Sequence, residues 1–166
     1  NRSLLLNIVV VVVFVGLMLG FISYLNDSTP DVRRLSLERL AERFNTSVHH
    51  AHWQWQAEGR PEIVMLVAYA NKLGEDKKLV ATDSKPIFMN GKGWPQSEPN
   101  AKGCEKIWDM VLDTPMDIDG FKVIAEYYAG IKLTGNEIDS TCRFRLSTGP
   151  YFEYKVNVGQ VSKVKS

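Results

Sequence analysis

All three histidines of this chain, His49, His50 and His52, fall in one short stretch. Imidazole can ligate a metal or move a proton near neutrality. His49 and His52 stand three apart and would share one face of a helix, as a metal pair does. A structural zinc site draws on four ligands, and no neighbouring carboxylate or cysteine completes the set. These histidines are therefore expected to pack or to line an interface. Asp113, Asp117 and Asp119 form a second chemical cluster, an acidic loop ahead of Gly120. Clustered oxygens before a glycine suit Ca²⁺. The spacing departs from the EF-hand pattern, so a solvated turn is the leading reading and calcium the alternative, with no other cofactor expected. Catalytic signatures are missing: there is no Gly-x-Ser-x-Gly, phosphate loop, His-Glu-x-x-His or Cys-x-x-Cys. The expectation is a protein that is not an enzyme.

Four tryptophans and two cysteines remain. Trp55 continues an apolar helical stripe and is expected in the core. Trp53 lies off that stripe, which makes it a candidate partner contact, because exposed tryptophan concentrates at binding hot spots. Cys104 and Cys142 form an even pair outside the apolar N-terminal run. That is consistent with a disulfide in an oxidising compartment, against the alternative of two buried thiols.

The elements that must position these groups begin with an apolar run over residues 4–25, free of charge. A helix of that length spans roughly 33 Å against a hydrocarbon core of about 30 Å. The run is longer than a signal-peptide core and ends without an Ala-x-Ala site, so an uncleaved anchor is expected rather than a removed signal. Tyr24 suits the membrane interface. Gly16 and Gly20, four apart, offer the small-xxx-small spacing of a helix-packing seam. Beyond the run, bases and acids are equal in number. A neutral domain lacks the footprint of a nucleic-acid binder. The composition also excludes a multi-pass transporter and a freely soluble enzyme.

Asn26 to Asp31 reads as the start of a second helix, with a capping-box spacing at Ser28 and Asp31 and Pro30 in its first turn. Leu37, Ala41, Phe44, Val48, Ala51 and Trp55 then recur at spacings of four and three, one face of an α-helix. Glu58-Gly59-Arg60-Pro61 ends it. The two helices are expected to join as one long kinked helix. Strands are expected over 63–69, 85–89, 121–128, 141–146 and 151–158, and a short helix over 104–112. Gly149-Pro150 should turn the last two strands into a hairpin. The class is α+β, organised as an anchor over 1–25, an amphipathic helix over 26–60 and an antiparallel sheet region over 61–166, the last two forming one domain.

An apolar helix continuing into an amphipathic one, followed by a small antiparallel sheet with a late disulfide, resembles the type IV pilins and pseudopilins. The stretches Arg43-Phe44-Asn45-Thr46-Ser47-Val48-His49-His50-Ala51-His52-Trp53-Gln54-Trp55 and Met89-Asn90-Gly91-Lys92-Gly93-Trp94-Pro95 look like segments of mannose-sensitive haemagglutinin (MSHA) pilus proteins. The resemblance implies a pilin-like fold and a place in pilus assembly and cell adhesion. It further implies a bacterial inner-membrane location, with the N-terminus cytoplasmic and the domain periplasmic. Membrane lipid and other pilin or assembly subunits are the expected partners, and no small-molecule substrate is evident.

Such pilins carry a Glu at the fifth position of the mature chain, thought to pair with a neighbour's N-terminus. Here the run opens Leu4-Leu5-Leu6-Asn7, and no Glu occurs before Glu38. The resemblance therefore implies an accessory or minor subunit rather than the main fibre subunit. A membrane-tethered periplasmic sensor or ligand-binding module is the alternative from a different class.

Overall fold

The computed structural model describes residues 2–73, 79–118, 120–133, 136–147 and 149–166. The chain divides into two units, Asn1–Leu35 and Ser36–Ser166. Helical backbone, α1, covers Arg2–Ala57. In the first unit, the large apolar residues from Leu6 to Tyr24 are all at least half exposed or close to it, from 49% to 72%. The segment Leu6–Tyr24 is long and apolar enough to cross a bilayer.

Residues 26–31 are helical, so no new helix begins at Ser28. The capping signal is overridden because helix already exists on both sides. Extending a helix fixes one residue per bond gained, whereas stopping and restarting requires a second costly nucleus.

The second unit is built on the apolar stripe of α1. Leu37, Ala41, Phe44, Val48, Ala51 and Trp55 are all buried, as their spacing requires. Opposite lies a five-stranded antiparallel sheet. Its strands are β3 (Asp117–Ile118), β4 (Phe121–Tyr128), β7 (Thr141–Leu146), β8 (Tyr151–Lys155) and β9 (Gln160–Val161), in the order β3-β4-β7-β8-β9. Alternation along β7 and β8 sends Cys142, Phe144, Leu146, Phe152 and Tyr154 inward. The Phe44 ring sits 5.5, 5.7 and 5.3 Å from those of Phe144, Phe152 and Tyr154. Tilted and edge-on aromatic contacts of this kind add to area burial.

Helix α2 (Ala101–Leu112) closes this core with Cys104, Ile107, Trp108, Val111 and Leu112. Asn100 caps it by accepting the Gly103 amide proton at 2.8 Å. Gly103 is required there, since a Cβ would strike the Glu98 carbonyl oxygen. At the other end Asp113 adopts the left-handed conformation, φ 51°.

A separate hairpin pairs β1 (Ile63–Leu73) with β2 (Leu79–Phe88). It packs on the end of α1 through Val64, Ile87 and Met89, which join Ala51 and Trp55 in a second core. Part of each edge near α1 is occupied. The Met89 amide donates to the Glu62 carbonyl, which fixes the ladder parity, so Met65, Pro86 and Phe88 turn their backbone polar groups outward. Gln54 takes the Met65 carbonyl, the Gln96 amide takes the Phe88 carbonyl, and Pro86 has no N–H to offer. Proline at that position blocks further strand pairing. A small hairpin of β5 (Ile131–Leu133) and β6 (Asn136–Ile138) completes the fold.

The class is mixed helix and antiparallel sheet, as expected. Strands expected over 63–69 and 85–89 are longer, at β1 and β2, with Met89 leaving the strand to bridge Pro95. The strand expected over 151–158 stops at Lys155. A turn closed by Gly159, at φ 68°, then lets the chain return as β9. The short strands β3, β5, β6 and β9 had no periodic signal of their own, because two or three residues cannot display alternation.

Candidate functional site

The most organised constellation sits where α1 ends. Gly59 donates to the Gln56 carbonyl at 3.4 Å and Arg60 to the Trp55 carbonyl at 2.8 Å. This pair of bonds is the Schellman closure, with Gly59 (φ 83°) at its left-handed position. The closure folds Arg60 back on Trp55, and the guanidinium lies over the indole at 5.6 Å. Arg60 itself has φ 65°, unusual for a residue with a Cβ.

The loop 90–95 meets the helix from the other side. Asn90 accepts from the amides of Lys92 and Trp94 through its side-chain oxygen, at 2.9 and 3.0 Å. Its side-chain nitrogen donates to the Val156 carbonyl at 3.0 Å. One residue thus shapes the turn and ties it to the end of β8. Gly93 (φ 81°) lies against Trp55, and Gly159 lies against Trp94, where any Cβ would collide with the indole.

His52 enters between the two indoles. Its ring stacks on Trp94 at 4.0 Å with planes 9° apart, and faces Trp55 at 5.7 Å. Its Nδ1 is 2.7 Å from the Gly93 carbonyl oxygen, which can only accept, so Nδ1 carries the proton. Its Nε2 is 2.9 Å from the Gln56 amide nitrogen and accepts from it. Both ring nitrogens are thereby engaged. His49 meets the edge of Trp94 at 5.8 Å, and exposed His50 lies beside Trp53 at 6.0 Å. The histidines serve aromatic packing, and among the described residues no group of three metal-binding side chains forms.

Beside this stack lies an open cleft of about 490 Å³, lined by Trp55, Arg60, Glu62, Phe88, Met89 and Gln96 among others. Trp53 is 63% exposed on the outward face of α1, opposite the buried stripe. Arg39, Arg43, Thr46 and His50, spaced along the same face of the helix, are also exposed. This is where a partner contact was expected.

The acidic loop is engaged within the fold. Asp113 pairs with Lys85 at 2.6 Å, and this hydrogen bond raises the Lys85 pKa above its ordinary value. Asp117 accepts the Gly120 amide proton at 2.9 Å, a turn-closing bond. Asp119 lies outside the described residues. Cys104 on α2 and Cys142 on β7 are joined by a disulfide, with Cα atoms 5.5 Å apart. Gly16 and Gly20 have open space where a Cβ would stand.

On the solvent face of the sheet, Arg143 donates to the Glu153 carboxylate at 3.1 and 2.8 Å and lies between the rings of Tyr128 and Tyr151 at 4.5 and 4.3 Å. Burial pushes the Glu153 carboxyl up, but hydrogen bonds from Lys165 and Arg143 outweigh it and hold the group below the usual carboxylate value.

The helix end is legible in the sequence, but its meeting with the loop at 90–95 is not. Gly59 before Pro61 signals a helix terminus, and from it Arg60 follows as the residue folded over Trp55. The His52–Trp94 stack joins residues distant in sequence and carries no local signal. Compared with protein-family models, curated proteins and solved structures, the chain has no match.

Proposed function

We propose that the protein is a non-enzymatic, single-pass inner-membrane component of type IV pilus biogenesis of the MSHA kind. In this reading it is a pilin-like accessory or minor subunit, resembling the MSHA biogenesis protein MshF in the stretches around His49–His52 and Asn90–Pro95. One observation carries it: an apolar helix long enough to span a bilayer, in a chain whose amphipathic helix packs on a small disulfide-linked antiparallel sheet. The helix would associate laterally in the bilayer through Gly16 and Gly20. The periplasmic domain would dock on partners through the Trp53 face.

The apolar run holds no carboxylate. In lipid an ionised Glu is tolerated when it gains a partner, which makes such pairing selective. Asn7 can only hydrogen-bond, at about 0.6 kcal/mol in membranes. Repeated addition to a fibre lacks that register here, and a single addition or a platform contact does not need it. A deletion strain should carry fewer surface pili, and sheared fibres should contain the protein at trace levels or not at all. A stoichiometry near that of the main pilin would overturn the accessory role.

The cleft beside Trp55 supports a second reading, a membrane-tethered periplasmic sensor or ligand-binding module. Neighbouring genes separate the two: pilus ATPase and pilin genes favour assembly, while a kinase or response regulator favours sensing.

A further inference from the structure

We propose that the cleft at the end of α1 binds a carboxylate carried by a peptide, with Arg60 as the recognising residue. This goes beyond the pilus reading and stands or falls separately from it.

Three observations converge on Arg60. Its backbone is held at φ 65°, where a Cβ is strained and glycine is the ordinary occupant. Strain of this kind persists where surrounding structure over-determines it, and it gathers at functional sites. The exposed guanidinium lies over Trp55 at 5.6 Å, which biases its direction before any ligand arrives. Among the described residues Arg60 has no ion pair, although Glu62 lines the same cleft. A preorganised, unpaired guanidinium with one face on an indole keeps its N–H edge for a planar acceptor, and a carboxylate matches that fork.

The rest of the lining selects the ligand. At about 490 Å³ the cleft falls in the ordinary range for small-ligand sites. Pro61 and half-exposed Phe88 supply apolar surface, which an inorganic anion would leave unused. Glu62 puts one negative charge beside the one positive charge. That balance disfavours phosphate or a polyanion and suits a single carboxylate on an otherwise neutral chain. The Gln96 side chain reaches the Met89 carbonyl only at 3.4 Å, leaving its amide able to turn toward a peptide group.

The test uses the full ¹⁵N-labelled chain in an uncharged maltoside detergent, with the Arg60 Nε–H and Trp55 Nε1–H signals followed by NMR. Three acetylated tripeptides are titrated: Ala-Phe-Asp amide, Ala-Phe-Ala free acid and Ala-Phe-Asn amide. Saturable shifts of both signals are expected from an acidic peptide, with the neutral amide at least about tenfold weaker. Whichever acid binds better tells a side-chain carboxylate from a chain terminus. Arg60→Gln should abolish the Trp55 shift. Arg60→Gly should abolish it too while leaving the thermal midpoint unchanged or higher, because glycine relieves the positive φ. Glu62→Gln should tighten binding. Equal shifts from the neutral peptide, or none from either acid, would overturn the proposal.

Discussion

His52 lies flat on Trp94, with ring centroids 4.0 Å apart and planes 9° from parallel. The contact joins α1 to the loop 90–95, whose two ends are tied to the end of β8, by Asn90 at the Val156 carbonyl and by the Pro95 carbonyl at Tyr154. Tyr154 is fully buried, its hydroxyl donates to Pro95 at 2.9 Å, and burial raises its pKa. One histidine therefore helps to lock three elements together.

His52→Ala removes a stacked ring and the bonds to Gly93 and Gln56. The expected loss is about 1–3 kcal/mol, from a part-buried hydrogen bond and aromatic packing. Urea unfolding followed by far-UV circular dichroism measures it. His52→Phe keeps the stack and should recover part of the loss, the remainder reporting the Gly93 and Gln56 bonds together. A variant as stable as the parent would show that the stack contributes nothing.

Reduction of the Cys104–Cys142 bridge, or the Cys104→Ala/Cys142→Ala pair, should lower stability by about 3–4 kcal/mol. The bridge closes a loop over a sequence separation of 38. It also anchors α2 to β7, so the loss should appear as earlier exchange of α2 amides. Thiol alkylation of the non-reduced protein should find no free cysteine.

Acid should weaken the fold partly through the sheet's outer face. The Glu153 pKa is lower folded than unfolded, so its stabilisation is present above the unfolded value of about 4.3 and fades as pH falls through the lower folded value. Glu126, lowered by its hydrogen bond to Arg145, acts in the same direction. Glu153→Gln should therefore cost roughly 1 kcal/mol at neutral pH and almost nothing near pH 2, a partly exposed network being worth no more. Chemical denaturation across that range would expose a parallel offset, the result that contradicts the mechanism.

Gly16→Ile tests the seam in the bilayer. Both glycines have open space where a Cβ would stand, so a larger side chain leaves the helix itself intact. If a second helix approaches there, the branched side chain separates the backbones and removes close dispersion contacts. Weaker association in a membrane two-hybrid assay is expected with insertion preserved. Unchanged association would return the glycines to ordinary components of an apolar helix.

What could be read from the sequence is what repeats locally. The six residues from Leu37 to Trp55 announced their buried face because helical period and burial coincide over many turns. The long strands β4 and β7 showed enough β-rich or alternating residues to be placed at their full bounds. Trp53 was marked as exposed by its position off the stripe, and it is. What tertiary structure decided is what depends on neighbours. Ser28 and Asp31 had capping chemistry, yet flanking helix made continuation cheaper than a new start. Asp113 sits in an acidic loop, and packing brings Lys85 to it as an ion-pair partner. His52 meets Trp94, and Arg60 lines a cleft with Phe88, because a Schellman turn and an asparagine-organised loop converge on one end of α1. Such pairings span tens of residues, and no local pattern encodes a partner that only packing supplies.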